Sequence, residues 1–382
     1  MLLTAGTVLT GQELLRPGWI EVSGTTITAV GPGSPGRVAD HDLGAVTVVP
    51  GFVDTHVHGG GGASFSAGRD QTVTAVTLHR RHGTTTLVAS LVTESPGDML
   101  RQVATLADDV RSGLIAGIHL EGPWLAETRC GAHDPALLRD PEPAELRRVL
   151  RAGDGTIRMV TLAPERSGGI EAIRRIVDAG AVAAVGHTEA TYAQTCAAIE
   201  AGATVGTHLF NAMRPIHHRE PGPVVALLED PRVTVELIAD GVHVDAALYR
   251  HVTTSAGAGR VSLVTDAMAA AGMDDGAYRI GPLAVDVTDG VAHLAGTDTI
   301  AGSTATMDTL FRFAVTHSRL PHDGAMQLAV LQSSINPARA LGLPSPALQP
   351  GAGADLVVLD ANLEVHAVLC DGGWIDESVS ND

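Results

Sequence analysis

Residues 52–58 read FVDTHVH, an apolar, β-branched run that closes on two histidines two positions apart. Residues at that spacing share one face of a strand, so His56 and His58 can present both imidazoles to a single ion. Seven comparable runs follow: TTTLVASLV (84–92), LIAGIHLEG (114–122), IRMVTLAP (157–164), AVAAVGH (181–187), ATVGTHLFN (203–211), VTVELIADGVHV (233–244) and VSLVTDA (261–267). Helix-like segments fill most intervals, for example PEPAELRRVLRAG (141–153) and GIEAIRRIVDAG (169–180), each closed by a glycine. Eight strand–helix units in one chain predict an α/β fold, a (β/α)8 TIM-type barrel over residues 50–344. A doubly wound sheet is the alternative, but the glycine fingerprint of its nucleotide-binding form does not follow the first strand.

Both chain ends read differently. Residues 1–49 are short strand candidates, LLTAGTVLT and GWIEVSGTTITAVG, broken by Gly and Pro turns, with no convincing helix. DLVVLD and EVHAVLC near the C-terminus are similar. Residues 1–49 and 345–382 therefore predict one small β-sandwich, discontinuous in sequence.

Composition supports this division and limits the partners. Aromatic residues are only 3% of the chain against 45% hydrophobic overall, so Val, Ala, Leu and Ile must build the core. Three cysteines, Cys130, Cys196 and Cys370, are too few and too scattered for a disulfide framework. No apolar run approaches the roughly 18 residues that span a bilayer. The start, MLLTAGTVLTGQELLR, lacks a basic leader and a long apolar stretch, so a cytoplasmic location is expected.

All 25 basic residues are arginine; the chain has no lysine. That excludes Schiff-base chemistry, a phosphate-loop lysine and a carboxylated lysine bridging two metals. Against 43 acids the formal charge is −18. Such a surface repels phosphate backbones, so neither nucleic acid nor an anionic membrane is an expected partner. An anionic small molecule needs a local cluster of arginine and histidine.

The polar residues within the eight runs gather at one end. His56 and His58 close the first run, Glu121 the third, His187 the fifth, and Asp266 lies near the end of the eighth; His208 is late in the sixth and His243 late in the seventh. Barrel enzymes build active sites at these C-terminal strand ends. A histidine taken alone is more often structural, and His41, His79, His82, His251, His293, His317, His322 and His366 are assigned to that class. Ligand-type residues at matching ends of five strands are hard to explain by packing, and a buried Glu121 needs a cation nearby. Imidazole and carboxylate ligands suit Zn²⁺, with Fe²⁺, Mn²⁺ or Co²⁺ as alternatives. A bound divalent ion lowers the pKa of water to about 7 and supplies a nucleophile at neutral pH. Asp266 is then the expected general base. Cys130 is read as a loop thiol rather than a ligand. After the sixth run, NAMRPIHHREPG (211–222) gathers Arg214, His217, His218 and Arg219, and Arg219 is the candidate for bidentate recognition of phosphate or carboxylate.

The chain also resembles a known family, the N-acetylglucosamine-6-phosphate deacetylases of the amidohydrolase superfamily. The resemblance rests on PGFVDTHVHGGGG (50–62), GIHLEGPWL (117–125), CGAHDP (130–135), VGHTEA (185–190), THLFNAMRPIHHREPG (207–222), IADGVHV (238–244), LVTDAMAAAG (263–272) and IAGSTATM (300–307). It implies hydrolysis of the acetamide of N-acetylglucosamine 6-phosphate by a homodimer with one or two metal ions per subunit. Glu121, His187 and His208 correspond to the ligands of the main metal, and Asp266 to the catalytic aspartate. His133, beside Ala132, corresponds to the histidine near the acetyl carbonyl. Asn211, Ala212, Arg219 and His243 correspond to sugar-phosphate contacts, some reaching across the dimer. Ile300, Ala301 and Gly302 correspond to a segment lining the sugar pocket. Members that keep His-x-His can hold a second ion, and this chain keeps His56 and His58. The fourth run, MVTLAPE, has no lysine for a bridge, so Glu121 must serve. Other readings are the same chemistry on N-acetylgalactosamine 6-phosphate or an N-acyl amino acid, and a non-catalytic scaffold.

Overall fold

The computed structural model describes residues 1–375. Residues 376–382 of the expected sandwich lie outside the described residues. All eight apolar runs form strands: β1 (Phe52–Val57), β2 (Thr84–Leu91), β3 (Gly117–Glu121), β4 (Ile157–Leu162), β5 (Val182–Val185), β6 (Ala203–Gly206), β7 (Thr234–Leu237) and β8 (Val261–Leu263). Each pairs in parallel with the next in chain order. A helix follows each strand, from Arg69–Arg81 after β1 to Met307–His317 after β8. The helix Gly169–Asp178 shows why: Gly169, Ala172, Ile173 and Ile176 recur at helical spacing and are its buried face. Its outer face carries Glu171 and Arg175, paired at 2.9 Å.

The ring closes just beyond β8. The Asp266 N–H donates to His56 O at 2.8 Å, and the His58 N–H donates to Ala267 O at 2.8 Å. Closure of the barrel therefore passes through residues that the sequence marks as functional. The floor beneath them is polar and hydrogen-bonded. Ser90 Oγ meets His119 Nδ1 at 2.9 Å, His119 Nε2 meets Thr161 Oγ1 at 2.8 Å, and Thr161 Oγ1 meets Thr207 Oγ1 at 2.8 Å. Lower in the barrel, Val88, Met159, Ala184 and Val205 close an apolar plug against Leu341.

The chain ends form two sheets. One orders Thr26–Pro32, Gly18–Ser23, Leu2–Ala5 and His41–Asp42; the other joins Thr7–Leu9 and Thr47–Pro50 to Leu356–Leu359 and Val365–Cys370. The stretch LLTAGTVLT is not one strand: it breaks at Gly6, and its halves enter different sheets. Antiparallel pairing of Leu356–Leu359 with Thr47–Pro50 ties the two chain ends together. Period-two alternation lets these strands serve two cores. Val8, Val48, Leu356 and Val358 pack with Leu3, Ile20 and Ile27 of the other sheet, whereas Leu9, Val49, Val357 and Leu359 join the barrel–helix core.

Two features depart from the sequence expectation. The runs at 203–211 and 233–244 outlast their strands, which end at Gly206 and Leu237, so His208 and His243 stand on loops, as do His187 and Asp266 beyond Val185 and Leu263. Asp240 turns the second of these loops by accepting the N–H groups of Val242 and His243 at 2.9 and 2.8 Å. An unanticipated three-stranded antiparallel sheet, Gly276–Ile280, Leu283–Thr288 and Val291–Leu294, follows β8 and packs Ile280 and Val285 against Val92 and Met268. Among the described residues no helix is long and apolar enough to cross a membrane.

Asp308, in the first turn of Met307–His317, joins the last barrel helix to the end of the first. It meets His82 Nδ1 at 3.2 Å and accepts from Arg312 at 2.9 Å and Thr306 Oγ1 at 2.5 Å. Burial disfavours its charge, but these partners outweigh burial and hold its carboxyl at about 2. A carboxyl depressed by folding contributes stability that is present above its unfolded value near 4 and lost as pH falls through 2, roughly 2 kcal/mol in all. Asp308→Asn should therefore unfold at lower urea than wild type at pH 7, with the gap narrowing below about pH 4. A gap independent of pH would contradict this origin.

Candidate active site

The strand ends bring the marked residues into one cluster. His56, His58, Glu121, His187, His208 and Asp266 are all buried. Three of them hold left-handed backbone, with φ of 48° at His187, 26° at His208 and 48° at Asp266. Such backbone costs on the order of 1–3 kcal/mol at a non-glycine residue and persists only where neighbours over-determine it. Asp266 is held on both sides: its N–H donates to His56 O, and its carbonyl accepts from the Ser303 N–H, each at 2.8 Å. At His187 the carbonyl accepts from the Ala126 N–H at 2.9 Å.

Glu121, at the tip of β3, is the hub. Its Oε1 lies 3.1 Å from His187 Nε2, 2.9 Å from His208 Nε2 and 3.4 Å from His56 Nε2. Its Oε2 lies 3.1 Å from His58 Nε2 and 3.3 Å from His133 Nε2. Asp266 Oδ1 is 3.3 Å from His56 Nε2 and 3.1 Å from His58 Nε2. Imidazole nitrogens also face each other, His187 and His208 at 3.1 Å and His56 and His58 at 3.3 Å. Ligands about 2.0–2.1 Å from a tetrahedral zinc ion stand about 3.3 Å apart, the spacing seen here. The donor set therefore fits divalent metal in two groups that share Glu121: His187 with His208, and His56 with His58 and Asp266.

Hydrogen bonds on the far side of the His187 and His133 rings separate a ligand from a donor. His187 Nδ1 donates to Arg129 O at 2.8 Å, which leaves a lone pair on Nε2 facing Glu121 and His208. His133 is the reverse. Its Nδ1 accepts the Thr93 N–H at 3.1 Å, so the proton resides on Nε2, which points into the cluster. Burial lowers the His133 pKa to about 4, keeping the ring neutral. Although His133 stands within ligand distance of Glu121 and His187, this tautomer makes it a hydrogen-bond donor. His58 Nδ1 and His208 Nδ1 are buried with no partner among the described residues. Electrostatics show the same demand for a cation. Burial disfavours charge on Asp266 and Glu121, yet the imidazoles hold both well below the ordinary carboxylate range, and His58 rises to about 9 against its own burial.

Above the cluster lies a cavity of about 400 Å³ lined by His58, Glu121, Ala132, His133, His187, His208, Asn211, Ala212, His243, Asp266, Ile300 and Gly302. Of the remaining predicted site residues, His56 lies beneath the cavity, Ala301 packs behind it against Ile280 and Val285, and Arg219 is not brought to it. Arg219 is exposed, and its hydrogen bonds among the described residues stay within its own loop, one of them 2.7 Å from His218 Nε2. His243 is fixed by Asp240 at 2.7 Å. Cys130 joins no metal-type group among the described residues. Sequence reasoning missed Arg129, which lines the cavity while pairing with Glu189, and also Asp240, His119, Asp54 and Glu236. The signal for Asp54 and Glu236 is present in FVDTHVH and VTVEL: a single acid inside an apolar run.

Residues 47–375 match the amidohydrolase family. A solved structure of an Asp-to-Ala variant of N-acetyl-D-glucosamine-6-phosphate deacetylase from Mycobacterium smegmatis, in complex with N-acetyl-D-glucosamine-6-phosphate, is 67% identical with a TM-score of 0.97, over 98% of this chain and 99% of that one. The N-acetylglucosamine-6-phosphate deacetylase of Bos taurus is 37% identical over 355 residues, 88% of this chain and 85% of the relative. The N-acetylgalactosamine-6-phosphate deacetylase of Escherichia coli O157:H7 is 35% identical over 378 residues, 96% of this chain and 98% of the relative.

An ion that binds only the folded chain stabilises it by about 2.7 kcal/mol when free ion is 100 times its Kd. Chelation at neutral pH should lower Tm by several degrees, and added Zn²⁺ should restore it. His187→Ala should bind less metal at equal free Zn²⁺. An unchanged Tm and metal content would contradict the ligand assignment.

Proposed function

Because the chain belongs to the amidohydrolase family, whose members are metal-dependent, we propose that it hydrolyses the acetamide of N-acetyl-D-glucosamine 6-phosphate to D-glucosamine 6-phosphate and acetate. One observation carries this reading: a metal-type ligand set, an ionised aspartate and a neutral histidine donor all face one cavity. The scaffold alternative loses its basis, since such a protein has no reason to keep this set together. Zn²⁺ is the proposed metal, held by Glu121, His187 and His208, with room for a second ion at His56, His58 and Asp266. When bound, a divalent ion supplies a Lewis acid and lowers the pKa of water to about 7.

The chain's own groups supply the rest. Asp266, ionised in the cluster, takes the proton of the attacking water. As the new C–O bond forms and the C–N bond breaks, Asp266 passes that proton to the departing nitrogen. His133 donates from Nε2 to the acetyl oxygen, where negative charge develops in the transition state. Thr93 keeps this ring in the donor tautomer and orientation. His243, braced by Asp240, and the Asn211–Ala212 turn hold the sugar phosphate and fix the register of attack. Ile300 and Gly302 form the wall against the sugar. Arg219, which does not line the cavity of its own chain, is assigned to the phosphate of a partner's substrate in a homodimer. Residues 1–49 and 345–382 are assigned to a separate small domain. Three free thiols favour the cytoplasm.

A second reading keeps the chemistry and changes the epimer to N-acetylgalactosamine 6-phosphate, favoured by the similarity to the Escherichia coli deacetylase of that sugar. Acetate release measured on both sugars, each with and without the 6-phosphate, decides between them. The highest kcat/KM is expected on the phosphorylated glucosamine derivative, and inactivity on all four would overturn the assignment. Asp266→Asn should lower kcat by about 100-fold or more while metal stays at Glu121, His187 and His208; near-normal turnover would remove Asp266 from the mechanism. Arg219→Ala should lose kcat/KM on phosphorylated substrate alone, whereas equal losses on the unphosphorylated sugar would contradict phosphate recognition.

A further inference from the structure

Beneath the cluster, Glu236 at the centre of β7 is buried and lines no part of the cavity. Its carboxylate receives three donors from two distant stretches of chain. Thr55 Oγ1 donates to Oε1 at 3.3 Å, His56 Nδ1 donates to Oε2 at 3.3 Å, and the His208 N–H donates to Oε2 at 3.4 Å. Its own carbonyl accepts the Leu209 N–H at 2.8 Å. The ion pair that it makes is with His56.

The other buried acid of the barrel floor differs. Asp54 accepts from the N–H groups of His56 and Thr265 at 3.3 Å and from the Thr265 hydroxyl at 2.5 Å. It clamps β1 to the loop after β8 but touches no imidazole nitrogen. Among the imidazoles of the cluster, His56 alone rests on a carboxylate away from the cavity. His187 rests on a carbonyl, and His58 and His208 have no partner at Nδ1 among the described residues. A carboxylate behind a ligating imidazole fixes its tautomer and raises its basicity, and its loss weakens metal binding by about 10–100-fold.

We propose that Glu236 is the positioning residue that turns His56 Nε2 toward the cavity and thereby sets the affinity of an ion held by His56, His58 and Asp266. Because it meets the ring of His56 but only the backbone N–H of His208, it acts chiefly on the ion shared by β1 and β8 and much less on the one held by His187 and His208. The inference rests on the ligand assignment under Proposed function, but its test does not require turnover.

Metal-free wild type, Glu236→Gln and Thr55→Val are titrated with Co²⁺, following ions bound per chain and the visible absorption of each. Wild type should bind two ions. Glu236→Gln should bind the first as wild type does and the second about 10–100-fold more weakly, with the second ion's absorption appearing only at higher Co²⁺. Thr55→Val, which removes one donor that holds the carboxylate in place and leaves the carboxylate itself, should weaken the second ion by less than Glu236→Gln does, so the inference stays testable if the glutamine variant does not fold. An unchanged second affinity, equal loss of both ions, or a wild type that binds one ion would overturn the proposal. If wild type binds two ions yet releases no acetate from any phosphosugar, the proposed substrate fails while the Glu236 result still stands.

Discussion

A carboxylate buried in a protein must be met by positive charge or by donors, and Glu121 is where this chain meets that requirement. Five imidazole Nε2 atoms lie within 3.4 Å of its two oxygens. Without a cation, such a group would carry a desolvation cost of several kcal/mol. With a divalent ion, the same arrangement becomes a coordination shell. Much of the barrel's upper half follows from this hub: strand lengths that end where the ligands begin, and loops that turn back over the cavity.

The site and the fold are coupled at the seam of the barrel. β8 contributes only three strand residues, and closure is completed by the backbone of Asp266 and Ala267 against His56 and His58. The left-handed backbone at Asp266 is therefore held by bonds that also close the ring. A carboxylate fixed in this way loses little further freedom when a ligand arrives.

Which parts were legible in the sequence follows from the physics of each signal. All eight barrel strands could be read because parallel strands are buried on both faces and appear as continuous β-branched runs. His56, His58, Glu121, His187 and Asp266 could be read because each sits at the end of such a run. The sheet at 276–294 was not read: its strands keep one exposed face, as in LAVDVT, and are short. Glu236 and Asp54 show a signal, a single acid inside an apolar strand, but it names no partner until Thr55, His56 and Thr265 are brought to it. Arg219 was visible as a cation, but its distance from its own cavity depends on loop geometry. The absence of lysine fits Glu121 as the carboxylate between the two histidine groups, and it leaves arginine as the only permanent side-chain cation.

Glu121 is proposed to organise a metal centre at the strand ends. Anomalous scattering from crystals of the zinc-loaded protein tests it directly. The account predicts a peak about 2.0–2.2 Å from a Glu121 oxygen and from the Nε2 atoms of His187 and His208. Active, zinc-replete protein with no peak among those three atoms would contradict it.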